Sequence, residues 1–198
     1  MSEHVRTALA SIVEGRSLSI DEARPPEAEA DLRAVLPEFE KEKNVANEVA
    51  ANVDLSRALL MQGKFEEARK TILLAKGLSR TSPDPALKLP VAIQEARVKS
   101  ATAGAGTARL RATTDAGDQL RSVIATARRH GYFTLECEAR LALGELEMQT
   151  NPQLGRSELE ILAKETHGRG FEFISREAAI LLGPLAKAEA GPNASRTR

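Results

Sequence analysis

Residues 131–144 read GYFTLECEARLALG, and residues 170–183 read GFEFISREAAILLG. A glycine opens and closes each stretch. Tyr132 matches Phe171, Leu135 matches Ile174, Glu138-Ala139 recurs as Glu177-Ala178, and Leu143 matches Leu182, every pair 39 residues apart. Self-similarity at a period of tens of residues marks an array of small supersecondary units. Within the first copy, Leu135, Ala139, Leu143 and Leu146 recur at three- and four-residue steps, one stripe of a helix. TNPQ at 150–153 breaks that helix, with Pro152 as the stop. A second amphipathic helix follows on Leu159, Leu162 and Ala163, and HGRG at 167–170 supplies glycine for a left-handed C-terminal turn. Phe171, Ile174, Ala178, Leu181 and Leu182 then restart the first pattern, so 131–170 reads as one helical hairpin.

Working outward, VDLSRALLMQGKFEEARKTILLAKG at 53–77 repeats the scheme. Leu55, Leu59 and Leu60 stripe one helix, Gly63 turns, and Phe65, Ala68, Ile72 and Ala75 stripe the next. Ala28, Leu32, Val35 and Phe39 are spaced as an earlier second helix, which Pro37 should bend. Its partner is expected over 4–23, burying Val5, Leu9, Ile12 and Ile20. Another pair spans 84–130. Ile93, Ala96 and Ser100 face inward on its first helix, with Pro90 in the early turns, and Leu120, Val123, Ile124 and Ala127 on its second. TAGAGTARLRATT at 102–114 is expected to be a loop insertion between them.

The expected fold is therefore all-α: an α-α superhelix of about four helical hairpins (4–43, 46–80, 84–130, 133–168) plus a capping helix at 171–190. These form one domain over 1–190, followed by a disordered tail at 191–198. A single hairpin cannot cover both of its apolar faces, and stacking copies covers each with the next.

Composition agrees. Aromatics are 3% of 198 residues with no Trp, too few for a β-sandwich, whereas Ala, Leu, Glu, Arg and Lys favour helix. Lys+Arg and Asp+Glu are 28 each, balanced in both halves of the chain, so no field for nucleic acid or anionic lipid arises. The basic run from Arg109 to His130 reads as a solvated helix face. One cysteine, Cys137, rules out an intrachain disulfide and points to a reducing cytoplasm. The opening MSEHVRTALASIVEG has no secretory h-region, and no apolar run reaches the roughly 20 residues of a membrane span.

The chain resembles the tetratricopeptide-repeat family. LMQGKFEEARKTILLAKGL at 60–78 is similar to that family's turn and second helix, with Gly63, Phe65 and Ala68 at its Gly, aromatic and small positions. EARLALGELEMQTN at 138–151 is similar to its first helix, with Gly144 at the small position where two helices touch. The resemblance covers most of 25–183. The chain departs from the pattern in its longer spacing of about 40 residues, and it lacks the family's first-helix Trp and closing Pro. The array also resembles the C-terminal sensor regions of bacterial serine/threonine kinases and of winged-helix or LuxR-type regulators. That resemblance implies a bacterial regulatory protein active in signalling.

No constellation for catalysis emerges. His4, His130 and His167 are far apart, and the last two sit at helix ends, where the macrodipole favours histidine; no metal-ligand spacing exists. Cys137 lies between Glu136 and Glu138, which oppose a thiolate, so it reads as a packing residue. GAGTAR at 104–109 lacks the Lys-Ser/Thr of a phosphate loop and follows a helix rather than a strand. Glu136/Glu138 and Glu145/Glu147 are two apart and point to different faces of a helix.

The expectation is a non-enzymatic scaffold or adaptor module, with no cofactor and no metal, holding a protein or peptide partner on its concave face. The register set at Gly63, Gly104 and Gly144 places Val53, Asp54, Arg57 and Met61, then Gln94, Glu95 and Val98, then Leu141, Glu145, Met148 and Gln149 along that face. Some family members grip a terminal carboxylate with basic residues there. Here Asp54, Glu95 and Glu145 against Arg57 alone suit a partner of basic character. Two alternatives are a ligand-sensing array controlling an attached kinase or transcription-factor domain, and a homodimeric scaffold joined through an end of the stack.

Overall fold

The computed structural model describes residues 24–183. The expected helix at 4–23, the cap beyond 183 and the tail at 191–198 lie outside the described residues. Eight α-helices and no strand occur among those described: α1 Pro25–Glu42, α2 Val45–Met61, α3 Phe65–Ser79, α4 Pro85–Ala101, α5 Thr107–His130, α6 Phe133–Thr150, α7 Pro152–Gly168 and α8 Glu172–Leu182.

The recurring glycines of the sequence become recurring helix stops. Gly63, Gly131 and Gly170 take φ of 72°, 73° and 80°. In each case the next amide reaches back five residues: Lys64 to Leu59, Tyr132 to Ala127 and Phe171 to Thr166, all at 2.9 Å. This Schellman closure satisfies carbonyls that the helix end would orphan. Lys43 makes the same stop after α1 without glycine, at φ 54°, with Asn44 N donating to Phe39 O at 2.9 Å. Side chains start three other helices. Asn44 accepts from Asn47 N at 3.2 Å, Asp84 from Ala86 N at 2.8 Å, and Asn151 from Leu154 N at 3.4 Å.

The segment 102–114 is not the expected loop insertion. The connection spans only 102–106, and α5 begins at Thr107 after Gly106 at φ 64°. The two threonines that looked loop-like are held in the helix by their hydroxyls. Thr113 Oγ1 donates to Arg109 O at 3.0 Å and Thr114 Oγ1 to Leu110 O at 2.9 Å. Pro37 and Pro90 both lie inside helices, α1 and α4.

The helices pack chiefly on their neighbours in sequence, from α1 on α2 through α7 on α8. Alternate helices also meet: α2 on α4, α4 on α6 and α6 on α8. The core divides accordingly. Phe39, Leu59, Ile72 and Val98 belong to a cluster shared by α1–α4, Ile93, Leu120 and Leu146 to one shared by α4–α6, and Leu141, Leu159 and Ile174 to one shared by α6–α8. So α4 buries Val91 and Val98 on one side and Leu89, Ile93 and Ala96 on the other. It is a shared wall rather than a one-faced helix. Each fully buried Leu among these contributes about 1.5–3 kcal/mol.

Two glycines set the closest helix contact. A Cβ on Gly144 would stand 2.7 Å from Leu159, and one on Gly155 would stand 2.4 Å from the backbone N of Met148. Gly144 was legible as a crossing residue; Gly155, across from it on α7, was not.

Candidate functional site

The alternate helices α2, α4, α6 and α8 together line a cavity of about 380 Å³, with Phe65 of α3 and Leu120 of α5 at its edges. That volume falls within the range of natural ligand pockets. Its walls are mainly apolar. Leu60 and Met61 come from α2, Ala96 and Ala101 from α4, Leu141 and Leu146 from α6, and Ile180 and Leu181 from α8. Met61, Phe65 and Ile180 are 50%, 45% and 65% exposed, so the rim carries apolar surface.

Four charged side chains stand in this apolar setting: Arg57, Arg97, Glu145 and Glu177. Arg97 Nε lies 3.4 Å from Glu145, and Arg57 Nη2 lies 3.9 Å from Glu177. Arg57 also sits 5.7 Å from the centre of the Phe173 ring, a cation–π contact. These contacts carry α2 directly to α8 across the cavity, although three packing steps separate the two helices along the chain. Burial lowers the pKa of Arg97 against a smaller opposing effect of the neighbouring Glu145; the guanidinium stays charged.

Ion pairs elsewhere span the same range, from tight ones to Arg69–Glu66 at 3.5 Å and Arg140–Glu136 at 3.9 Å. Arg140–Glu165 closes at 2.6 Å, and Lys64–Glu29, Lys76–Glu95 and Arg128–Glu136 at 2.7 Å. These are charge-assisted hydrogen bonds; the two cavity pairs are longer than that range.

Of the residues expected on the concave face, Arg57, Met61, Leu141, Glu145 and Gln149 line the cavity. Gln94 and Val98 do not: both are 2% exposed. Gln94 Nε2 is 3.4 Å from Ser56 Oγ, which donates to Ala68 O at 2.9 Å, and Val98 packs in the first core cluster. Glu95 turns outward to Lys76 Nζ at 2.7 Å and Gln119 Nε2 at 3.3 Å. Met148 packs beside the α6–α8 cluster. Val53 and Asp54 are half-buried on α2 and do not line the cavity.

The misplacement on α4 has a simple cause. Gly63 and Gly104 are 41 residues apart, but the structure makes Arg97, Ser100 and Ala101 the partners of Arg57, Leu60 and Met61, a shift of 40. One residue of slip rotates a helix by about 100°. It replaced Arg97 with Val98. The visible signal was the pair of arginines at that 40-residue shift.

The other chemistry-bearing residues lie apart from the cavity. Cys137 is fully buried, and burial pushes its thiol up to about 11. His130 stacks on Tyr132 with centroids 5.5 Å apart, and His167 Nδ1 is 3.1 Å from Glu172. Glu145 turns to Arg97 on α4, whereas Glu147 turns to Arg121 on α5 at 3.1 Å. Among the described residues, no group of His, Cys, Asp and Glu is placed to hold a metal ion, and no helix is long and apolar enough to cross a membrane. Compared with protein-family models, with curated proteins and with solved structures, the chain finds no match.

Proposed function

We propose that the protein is a non-catalytic interaction module, a tetratricopeptide-like α-α solenoid that holds a peptide or protein segment on its concave side. The carrying observation is that α2, α4, α6 and α8 turn their common face into one apolar cavity with an exposed rim at Met61, Phe65 and Ile180. Sequential packing of the helices, with contacts between alternate ones, supports the solenoid reading. The sequence resemblance to arrays in bacterial regulators supports a place in a signalling protein, and a single thiol suits the cytoplasm.

A second reading, a ligand-sensing array for an attached effector domain, is favoured by one feature. Arg57 reaches Glu177 and Phe173 and so encloses the concave side. Selection of binders from a peptide library, set beside thermal shift against a metabolite panel, separates the two. The module reading expects peptides whose capture changes in both Arg57→Glu and Glu145→Lys; capture unchanged in both variants contradicts it. A metabolite that raises the melting temperature, with no peptide captured, favours the sensor.

A further inference from the structure

Building on the interaction-module reading, we infer that the partner segment is acidic and amphipathic: a carboxylate set between apolar side chains one helical turn away on either side. Three observations converge on this chemistry. First, the cavity holds two arginines, Arg57 and Arg97, that cannot discharge, and neither reaches its carboxylate at the roughly 2.7–2.9 Å of a charge-assisted hydrogen bond, standing at 3.9 and 3.4 Å. Secondly, Arg97 feels two carboxylates, Glu145 and Glu138, and the one it contacts is replaceable. Glu145 keeps 44% of its side chain exposed, while Arg97 keeps only 17%. An incoming carboxylate can take the guanidinium while Glu145 swings into water; the arginine has no comparable escape. Thirdly, the protein already carries a segment of this pattern against the same cavity. On α8, Glu177 faces Arg57, Phe173 one turn earlier lies against the same guanidinium, and Ile180 one turn later lines the cavity. The geometry removes the acidic excess behind the expectation of a basic partner: Glu95, counted towards it, points to Lys76, and Arg97 joins Arg57 in the cavity opposite Glu145 and Glu177.

The probe is a short fluorescein-labelled synthetic helix with Glu at its centre, Phe one turn before and Ile-Leu one turn after. Matched peptides carry Gln or Lys at the centre, and free octanoate tests whether a small apolar acid suffices. Fluorescence anisotropy against the full chain should show the Glu peptide binding roughly ten-fold or more tighter than the Gln peptide, with the Lys peptide weakest, the scale of one charge-assisted bond. Arg97→Gln should erase the Glu-over-Gln preference, and Arg97→Lys should restore part of it. Arg57→Gln gives an independent check should Arg97→Gln fold poorly. Binding of all three peptides with equal affinity, or best binding of the Lys peptide, overturns the acidic assignment and leaves the interaction module standing. Octanoate displacing the Glu peptide in an Arg97-dependent way, at lower concentration than unlabelled peptide, overturns it in favour of a small-molecule site. If no peptide binds, the acidic amphipathic assignment falls, and the library selection alone decides the interaction module.

Discussion

Replacing Gly155 with alanine should do more damage than any other single methyl group added to a helix here. The new Cβ would stand 2.4 Å from Met148 N, 2.8 Å from Glu147 C and 3.0 Å from Gly144 O, all backbone atoms of α6. Rotamer changes cannot relieve such contacts, so α6 and α7 must separate. Overpacking of this kind costs about 1–3 kcal/mol, and backbone obstacles place it at the upper end. Against that, alanine in a helix gains about 1 kcal/mol over glycine. The net expectation is a loss of about 2 kcal/mol. Gly77 on α3 is the control. A Cβ there meets nothing within 4 Å, so Gly77→Ala keeps only the propensity gain, up to about 1 kcal/mol near a helix end. Urea denaturation of both variants and the parent measures the difference. Gly155→Ala as stable as the parent, or shifted in the same direction as Gly77→Ala, would refute the close α6–α7 crossing.

Other consequences follow from single side chains. Glu29 is covered by long polar side chains rather than sunk in the core. Its carboxylate takes Lys64 Nζ at 2.7 Å and Gln62 Nε2 at 2.6 Å, and the Lys64 bond chiefly holds its pKa below 4.5 against the opposing effect of burial. Glu29→Gln should cost about 1–3 kcal/mol near neutrality. Because the folded pKa is lowered, that stability is present above about pH 4.5 and fades as pH falls through the folded value. The gap between parent and variant in urea midpoints should therefore narrow as pH is lowered below about 4.5; a gap independent of pH would contradict the pairing. Cys137, fully buried with its thiol pushed up to about 11, should resist iodoacetamide at mildly alkaline pH and react promptly in urea. Equal rates in both would show that the α6–α8 cluster does not close over it. Ser56→Ala removes the donor to Ala68 O and the partner of Gln94, and should cost about 1–2 kcal/mol, again read from urea midpoints. A Gln94→Leu change in that background should recover part of the loss, and no recovery would count against the buried contact.

Much of the helical order was legible because turn chemistry is local. Gly131 and Gly170 must take a conformation that side chains resist, so the repeated glycine announces the same stop wherever it falls. The Thr113–Thr114 stretch misled for a related reason. Threonine after glycines looks like loop, yet its hydroxyls found helix carbonyls and α5 runs through. Lys43 shows the converse, a left-handed stop without the residue that usually marks it.

The cavity was half legible. Arg57, Met61, Leu141, Glu145 and Gln149 follow from turns placed correctly after α2 and α6. Arg97 was lost to a single residue of register, since the glycine used as a marker after α4 stands one place too far along. The approach of α8 to α2 could not be read at all. It depends on crossing angles accumulated over several packed helices, and no residue pattern announces that sum.

The approach of α8 to α2 across the cavity is best tested by chemical cross-linking of a Met61→Cys, Ile180→Cys double variant, both positions being exposed and lining the cavity. In a straight stack α2 and α8 would stand three interhelix spacings apart, roughly 25–30 Å. A bifunctional thiol reagent reaching about one helix diameter, roughly 10–12 Å, cannot bridge that span. Rapid intramolecular cross-linking, absent from each single variant, is the predicted result. Both cysteines modified singly, with no intramolecular bridge, would contradict the approach of α8 to α2.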